Sequence, residues 1–150
     1  MRAWAAVEKL DDRLAVTASW PAAGEIDAAI VVNAAADHQA AAERLLQARI
    51  PVLIEKPFAM SATGARRLVE LAAARGTYLA AAQVFRFAGY LDRFAAALGE
   101  ADGVTSIAVT WCDPQTEQRY GDEKRNDPGL PLVIDVLPHV LSILETVLPG

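Results

Sequence analysis

The sequence predicts an α/β fold: a parallel sheet with crossover helices, followed by a strand–loop–helix segment of different character. Short apolar runs rich in β-branched residues alternate with longer stretches at helical spacing, the pattern of repeated βα units. The runs do not alternate with polar residues, as expected for parallel strands covered on both faces. The 31 alanines all lie between Ala3 and Ala108, so composition changes near residue 100. The expected division is residues 1–100 and 101–150.

Residues 2–12 place Trp4, Val7 and Leu10 on one helical face. Leu14–Ala18 reads as a short strand, which Pro21 and Gly24 end. Asp27–Asn33 is a buried-type strand. Asp37 to Arg49 is helical, with Ala40, Ala41, Leu45 and Ala48 on an inner face. Pro51–Ile54 is a second buried strand, running into Glu55, Lys56 and Pro57. Ser61 suits an N-cap and Gly76 the matching stop, which frames a helix carrying Leu68, Val69, Leu71 and Ala72. Thr77–Val84 reads as a strand and Gly89–Leu98 as a helix. Val104–Trp111 alternates in part, as in a different kind of sheet. Residues 113–131 form a long polar loop of the kind that is functional or disordered. Leu132–Leu148 closes the chain as an apolar helix, with Pro138 awkward inside it.

Several functional classes are excluded or disfavoured by composition. No stretch is long and apolar enough for a transmembrane helix. The first residues carry acids and lack a signal-peptide core, and the single Cys112 cannot form an internal disulfide. A cytoplasmic location is therefore expected. A net charge of −5, with 14 basic residues scattered among 19 acidic ones, argues against a nucleic-acid surface. Two histidines and one cysteine offer no compact zinc set. Neither a membrane nor a nucleic-acid partner is expected.

Lys56 stands at the carboxyl end of a strand, where open parallel sheets bind ligands. A partly desolvated lysine there can act as a base or donate to a substrate oxygen; a surface lysine paired with Glu55 is the plainer reading. Asp135 and His139 are four apart and share a helical face. A carboxylate beside an imidazole is an acid–base arrangement, or else a solvated pair near a helix end. No glycine-rich phosphate turn of either common type occurs among the nine glycines.

Residues 27–76, DAAIVVNAAADHQAAAERLLQARIPVLIEKPFAMSATGARRLVELAAARG, resemble the Gfo/Idh/MocA oxidoreductases, of the glucose–fructose oxidoreductase and inositol dehydrogenase type. Glu55-Lys56-Pro57 matches the family's Glu-Lys-Pro after the fifth Rossmann strand. His38 matches its upstream histidine, and Asp135 and His139 its later D-x-x-x-H motif. The resemblance extends over residues 27 to 148. It implies a partial Rossmann-like sheet followed by a remnant of the C-terminal substrate domain. Lys56, His139 and Asp135 would then be catalytic. Glu55, Pro57 and His38 would contact a small-molecule substrate, and the Lys56–Pro57 bond would be cis. From the loop at 113–131, Tyr120, Arg119 and Arg125 could also reach a substrate, or be solvated loop residues.

The chain departs from the family by opening at what resembles its second helix and third strand. The first βαβ unit with the glycine turn is thus expected to be absent, as are the later strands of the C-terminal sheet. On that basis no cofactor is expected. The leading reading is a cofactor-independent acid–base enzyme for an isomerisation, epimerisation, elimination or cyclisation. NAD(P) chemistry with the dinucleotide bound atypically or across an oligomer interface is the alternative, and a non-catalytic partner or binding module is a third. The strand at 27–33 would form a bare sheet edge, which predicts a homo-oligomer.

Overall fold

The computed structural model describes residues 14–22, 24–99, 103–112, 118–119, 122–123 and 129–148. Within them, three short strands form a wholly parallel sheet in sequence order: β1 (Ala29–Val31), β2 (Val52–Ile54) and β3 (Leu79–Ala81). Ala29 pairs with Val52 and Val31 with Ile54, while Val52 and Ile54 pair with Leu79 and Ala81. Each connection is a helix, as parallel neighbours require. Helix α1 (His38–Gln47) joins β1 to β2, and α2 (Ala62–Arg75) joins β2 to β3.

The ends of α2 show how local chemistry sets its bounds. Ser61, in extended conformation, accepts from the backbone N–H of Gly64 at 3.0 Å, and Gly76 ends the helix in the left-handed region at φ 62°. A side chain at Gly76 would meet the cost that left-handed backbone imposes on L-residues. The two crossover helices pack on each other and α1 lies against β1 and β2. Between them sits the core, built on Val31, Leu45, Leu46, Val52, Ile54 and Leu68. Leu46, Ile54 and Leu68 are fully buried, each contributing roughly 1.5–3 kcal/mol through removal from water.

Side chains alternate across the strands, so Val31, Val52 and Ile54 face this core while Ile30 points the other way. Ile30 is 66% exposed and Val32 65%. The strand was expected to be covered on both faces; among the described residues the helices α1 and α2 lie on one face only. β1 is also the sheet's edge.

Beyond β3, a 3-10 turn at Val84–Phe87 leads into α3 (Gly89–Gly99). A two-residue antiparallel ladder follows, β4 (Gln118–Arg119) with β5 (Asp122–Glu123). Helix α4 (Leu132–Val147) packs on α3 and on the 3-10 turn. It runs through Pro138, which removes only one rung from a sixteen-residue helix.

Leu14–Ala18 and Val104–Trp111, expected as strands, belong to neither ladder of the described residues. The helix expected at 2–12 lies outside those residues. No helix among them is long and apolar enough to cross a membrane.

Candidate functional site

β2 ends at Ile54, and the chain passes through Glu55, Lys56 and Pro57 at the carboxyl edge of the sheet. The Lys56–Pro57 peptide is cis, as expected. Three bonds hold this turn. The Glu55 backbone N–H donates to the carbonyl of Val31 at 2.9 Å. The Lys56 N–H donates to Oε2 of Glu55 at 2.8 Å. A ring nitrogen of His38 lies 2.8 Å from the carbonyl of Pro57.

His38 was expected against substrate. Instead it is 2% exposed, with Nδ1 on the Pro57 carbonyl and Nε2 3.0 Å from the carbonyl of Asn33. Its ring spans the gap between the turn after β1 and the turn after β2, tying the carbonyl of Pro57 to that of Asn33. Glu55, also expected at the substrate, folds its carboxylate back onto the backbone beside it. Pro57 is buried behind the turn.

The structure brings Lys56 to Asp135 across 79 positions of sequence. Its ammonium donates to Oδ1 of Asp135 and, at 3.3 Å, to that residue's backbone carbonyl. The two side chains are 26% and 28% exposed, so the pair is largely shielded from water. Asp135 lies in the first turn of α4, where a carboxylate is favoured by the helix dipole. The sequence suggested Asp135 as the partner of His139; its carboxylate goes to Lys56 instead, and the lysine is no surface lysine paired with Glu55.

His139 stands one turn further along α4, on the same face as Asp135. Its ring stacks on Trp111, with centroids 5.5 Å apart and planes 8° from parallel. Phe85 meets it edge-on at 5.1 Å and 86°. Burial among these rings lowers its pKa below the ordinary histidine value of 6.5, and the charge of Lys56 acts in the same direction. Asp135 and Glu55 oppose them. The result is an imidazole biased towards its neutral form beside an ammonium donor. Local spacing pointed to neither aromatic neighbour: Phe85 comes from the 3-10 turn and Trp111 from an irregular segment, and only packing joins them. Tyr120 and Arg125 lie outside the described residues, and Arg119 contributes backbone to β4.

A strand-end lysine, a helix carboxylate and a histidine thus converge at the carboxyl edge of a parallel sheet. The sequence profile of an oxidoreductase family with an NAD-binding Rossmann fold, GFO_IDH_MocA, matches residues 2–83. The chain belongs to the Gfo/Idh/MocA family. This corrects the expectation that no cofactor is involved, since the matched region is the family's NAD-binding domain. Among solved structures, the chain is similar to GenD2 from gentamicin A biosynthesis in complex with NAD. Identity is 31% over 50% of this chain and 22% of that one, with a TM-score of 0.48. A protein assigned as an oxidoreductase from Bacteroides fragilis shows 32% identity over 50% and 23% of the two chains, with a TM-score of 0.45. The chain therefore spans less than a quarter of the length of either. No curated protein matches it.

The described residues fit one end of a dinucleotide and not the other. At the strand end, Lys56, Asp135 and His139 offer an ammonium donor, a carboxylate and an imidazole, groups compatible with the nicotinamide end. The turn after β1 has Val32, Asn33 and Ala34 in place of glycines, and α1 opens behind Asp37, an acid without a side-chain capping bond. A carboxylate there repels a pyrophosphate rather than cradling it.

Proposed function

We propose that this chain carries the proton-handling site of an NAD(P)-dependent oxidoreductase acting on a small hydroxyl or carbonyl compound. The observation that carries the reading is the ion pair between Lys56 and Asp135, which docks α4 on the strand end and places His139 beside it. When bound, the nicotinamide exchanges hydride with the substrate carbon. The chain's own residues handle the oxygen on that carbon. In the oxidative direction, the neutral His139 takes the hydroxyl proton, while the Lys56 ammonium stabilises the developing charge on oxygen. In the reductive direction the proton returns from the imidazolium. Asp135 keeps Lys56 aimed, His38 keeps the turn under it in place, and the aromatic rings exclude water from His139.

The pyrophosphate is held by groups other than the turn after β1.

Titration with NADH and NADPH tests the reading, with excitation of tryptophan and emission from the reduced nicotinamide. Trp111 stacks on His139, so a nicotinamide at this site lies within transfer range. Saturable transfer is expected, and Lys56→Met is expected to reduce turnover of any accepted substrate by about 10²–10⁴. No binding of either nucleotide at millimolar concentration would overturn the proposal.

A further inference from the structure

Three rings from three separate segments meet at His139. Phe85 comes from the 3-10 turn before α3, Trp111 from the segment at 103–112, and His139 from α4. The imidazole and the indole lie face to face, with 5.5 Å between centroids and planes 8° from parallel. The Phe85 ring stands across both, at 5.1 Å and 86° from His139 and at 6.1 Å and 90° from Trp111. Offset-parallel and edge-to-face contacts are the arrangements that aromatic quadrupoles favour, and each ring here meets the other two. An acid–base histidine is ordinarily aimed by the hydrogen bond that one ring N–H donates to a carboxylate or carbonyl. Asp135, one turn earlier on the same face of α4, is placed to accept such a bond, but Lys56 takes its carboxylate. Among the described residues, neither ring nitrogen of His139 has a hydrogen bond or an ion pair. His38 is the contrast, with a carbonyl on each ring nitrogen.

We infer that Trp111 and Phe85 are positioning residues: their rings, in place of a hydrogen bond, hold the His139 imidazole in the plane from which it exchanges a proton with the substrate oxygen. The inference rests on the proton-handling reading for what His139 does, and on ring geometry for what holds it. Turning the imidazole out of its plane loses the stack on Trp111 and the edge contact with Phe85 together. Stacking also does something that a hydrogen bond does not. When His139 takes a proton, the imidazolium forms over the indole face, within the roughly 6 Å at which a cation is attracted to that quadrupole. Leucine in place of Trp111 covers the imidazole with apolar surface but offers neither the flat face nor the quadrupole. That substitution separates orientation from mere cover.

NMR of the whole protein, labelled with ¹³C and ¹⁵N in histidine, tests the arrangement without a substrate. The chain has two histidines, and the signals that disappear in His139→Asn belong to the reporter. In the parent, the His139 ring protons are expected upfield, displaced by the indole ring current, with side-chain couplings of a single rotamer. Trp111→Phe should keep both features. Trp111→Leu should lose the displacement, and both it and Phe85→Leu should average the couplings over rotamers. With NADH or NADPH and an accepted carbonyl compound, the two leucine variants should lower kcat by about tenfold to a hundredfold at unchanged KM, the scale of a misplaced catalytic group. Trp111→Phe should recover most of that loss. Undisplaced ring protons in the parent, single-rotamer couplings in both leucine variants, or equal kcat in Trp111→Phe and Trp111→Leu would overturn the inference. Turnover in His139→Asn equal to that of the parent would instead sink the proton-handling reading, and the couplings would still decide whether the rings orient the imidazole.

Discussion

Replacing Lys56 by methionine, Asp135 by asparagine, and both together measures how firmly α4 is held to the sheet. Methionine keeps the apolar stem of the lysine and asparagine keeps the shape of the aspartate, so the cycle isolates the charge interaction. Pairs exposed on a surface contribute roughly 0.2–1 kcal/mol. Stripping one partner from a fully buried pair costs about 3–5 kcal/mol. With side-chain exposures of 26% and 28%, this pair falls between, and each single substitution should cost about 2 kcal/mol. For a chain of this size that lowers Tm by about 4–8 °C. The double variant should be no less stable than the worse single one, giving a coupling of at least about 2 kcal/mol in urea unfolding. Additive losses, or singles within about 0.3 kcal/mol of the parent, would refute the idea that this ion pair docks α4. The placement of His139 would then need another cause.

His139 can be followed by NMR as one of only two histidines. It should titrate below 6.5, lower still in Asp135→Asn and higher in Lys56→Met, because those charges act on it in opposite senses. Trp111→Ala should raise it by letting water reach the ring. The linkage has a definite sign. Between its folded value and 6.5 the unfolded chain binds more protons, so this contribution to stability is intact above 6.5 and is lost as pH falls through the folded value. The acid limb of kcat/KM for an accepted substrate should lie below 6.5 for the same reason, and a limb above it would count against His139 as the base. Leu46→Ala, at a fully buried position between α1 and the sheet, should cost about 2–5 kcal/mol in urea unfolding; a loss under 1 kcal/mol would mean that the core lies elsewhere. His38→Phe, which fills the same space without ring nitrogens, should lower turnover while NADH binding persists, and unchanged turnover would remove it as the residue that positions Lys56.

The elements legible in the chain are those whose causes are local. The three sheet strands lie within the stretches expected at 27–33, 51–54 and 77–84. Helix α2 begins at the Ser61 cap and stops at Gly76, because a side-chain acceptor and a left-handed glycine act on adjacent backbone. Glu55-Lys56-Pro57, His38 and the Asp135–His139 spacing were also legible, as motifs. Their partners were not. Leu14–Ala18 and Val104–Trp111 have strand-like composition, yet a strand exists only when another backbone accepts its hydrogen bonds, and that depends on the path of the whole chain. The same holds at the site. A four-residue spacing puts Asp135 and His139 on one helical face, but which partner each takes depends on where α4 docks. That docking gives the aspartate to Lys56, 79 positions away, and leaves the histidine between Phe85 and Trp111. Caps, turns and periodicities act over a few residues and can be read along the chain; the desolvation that biases His139 towards neutrality comes from rings 54 and 28 positions distant, and only packing brings them together.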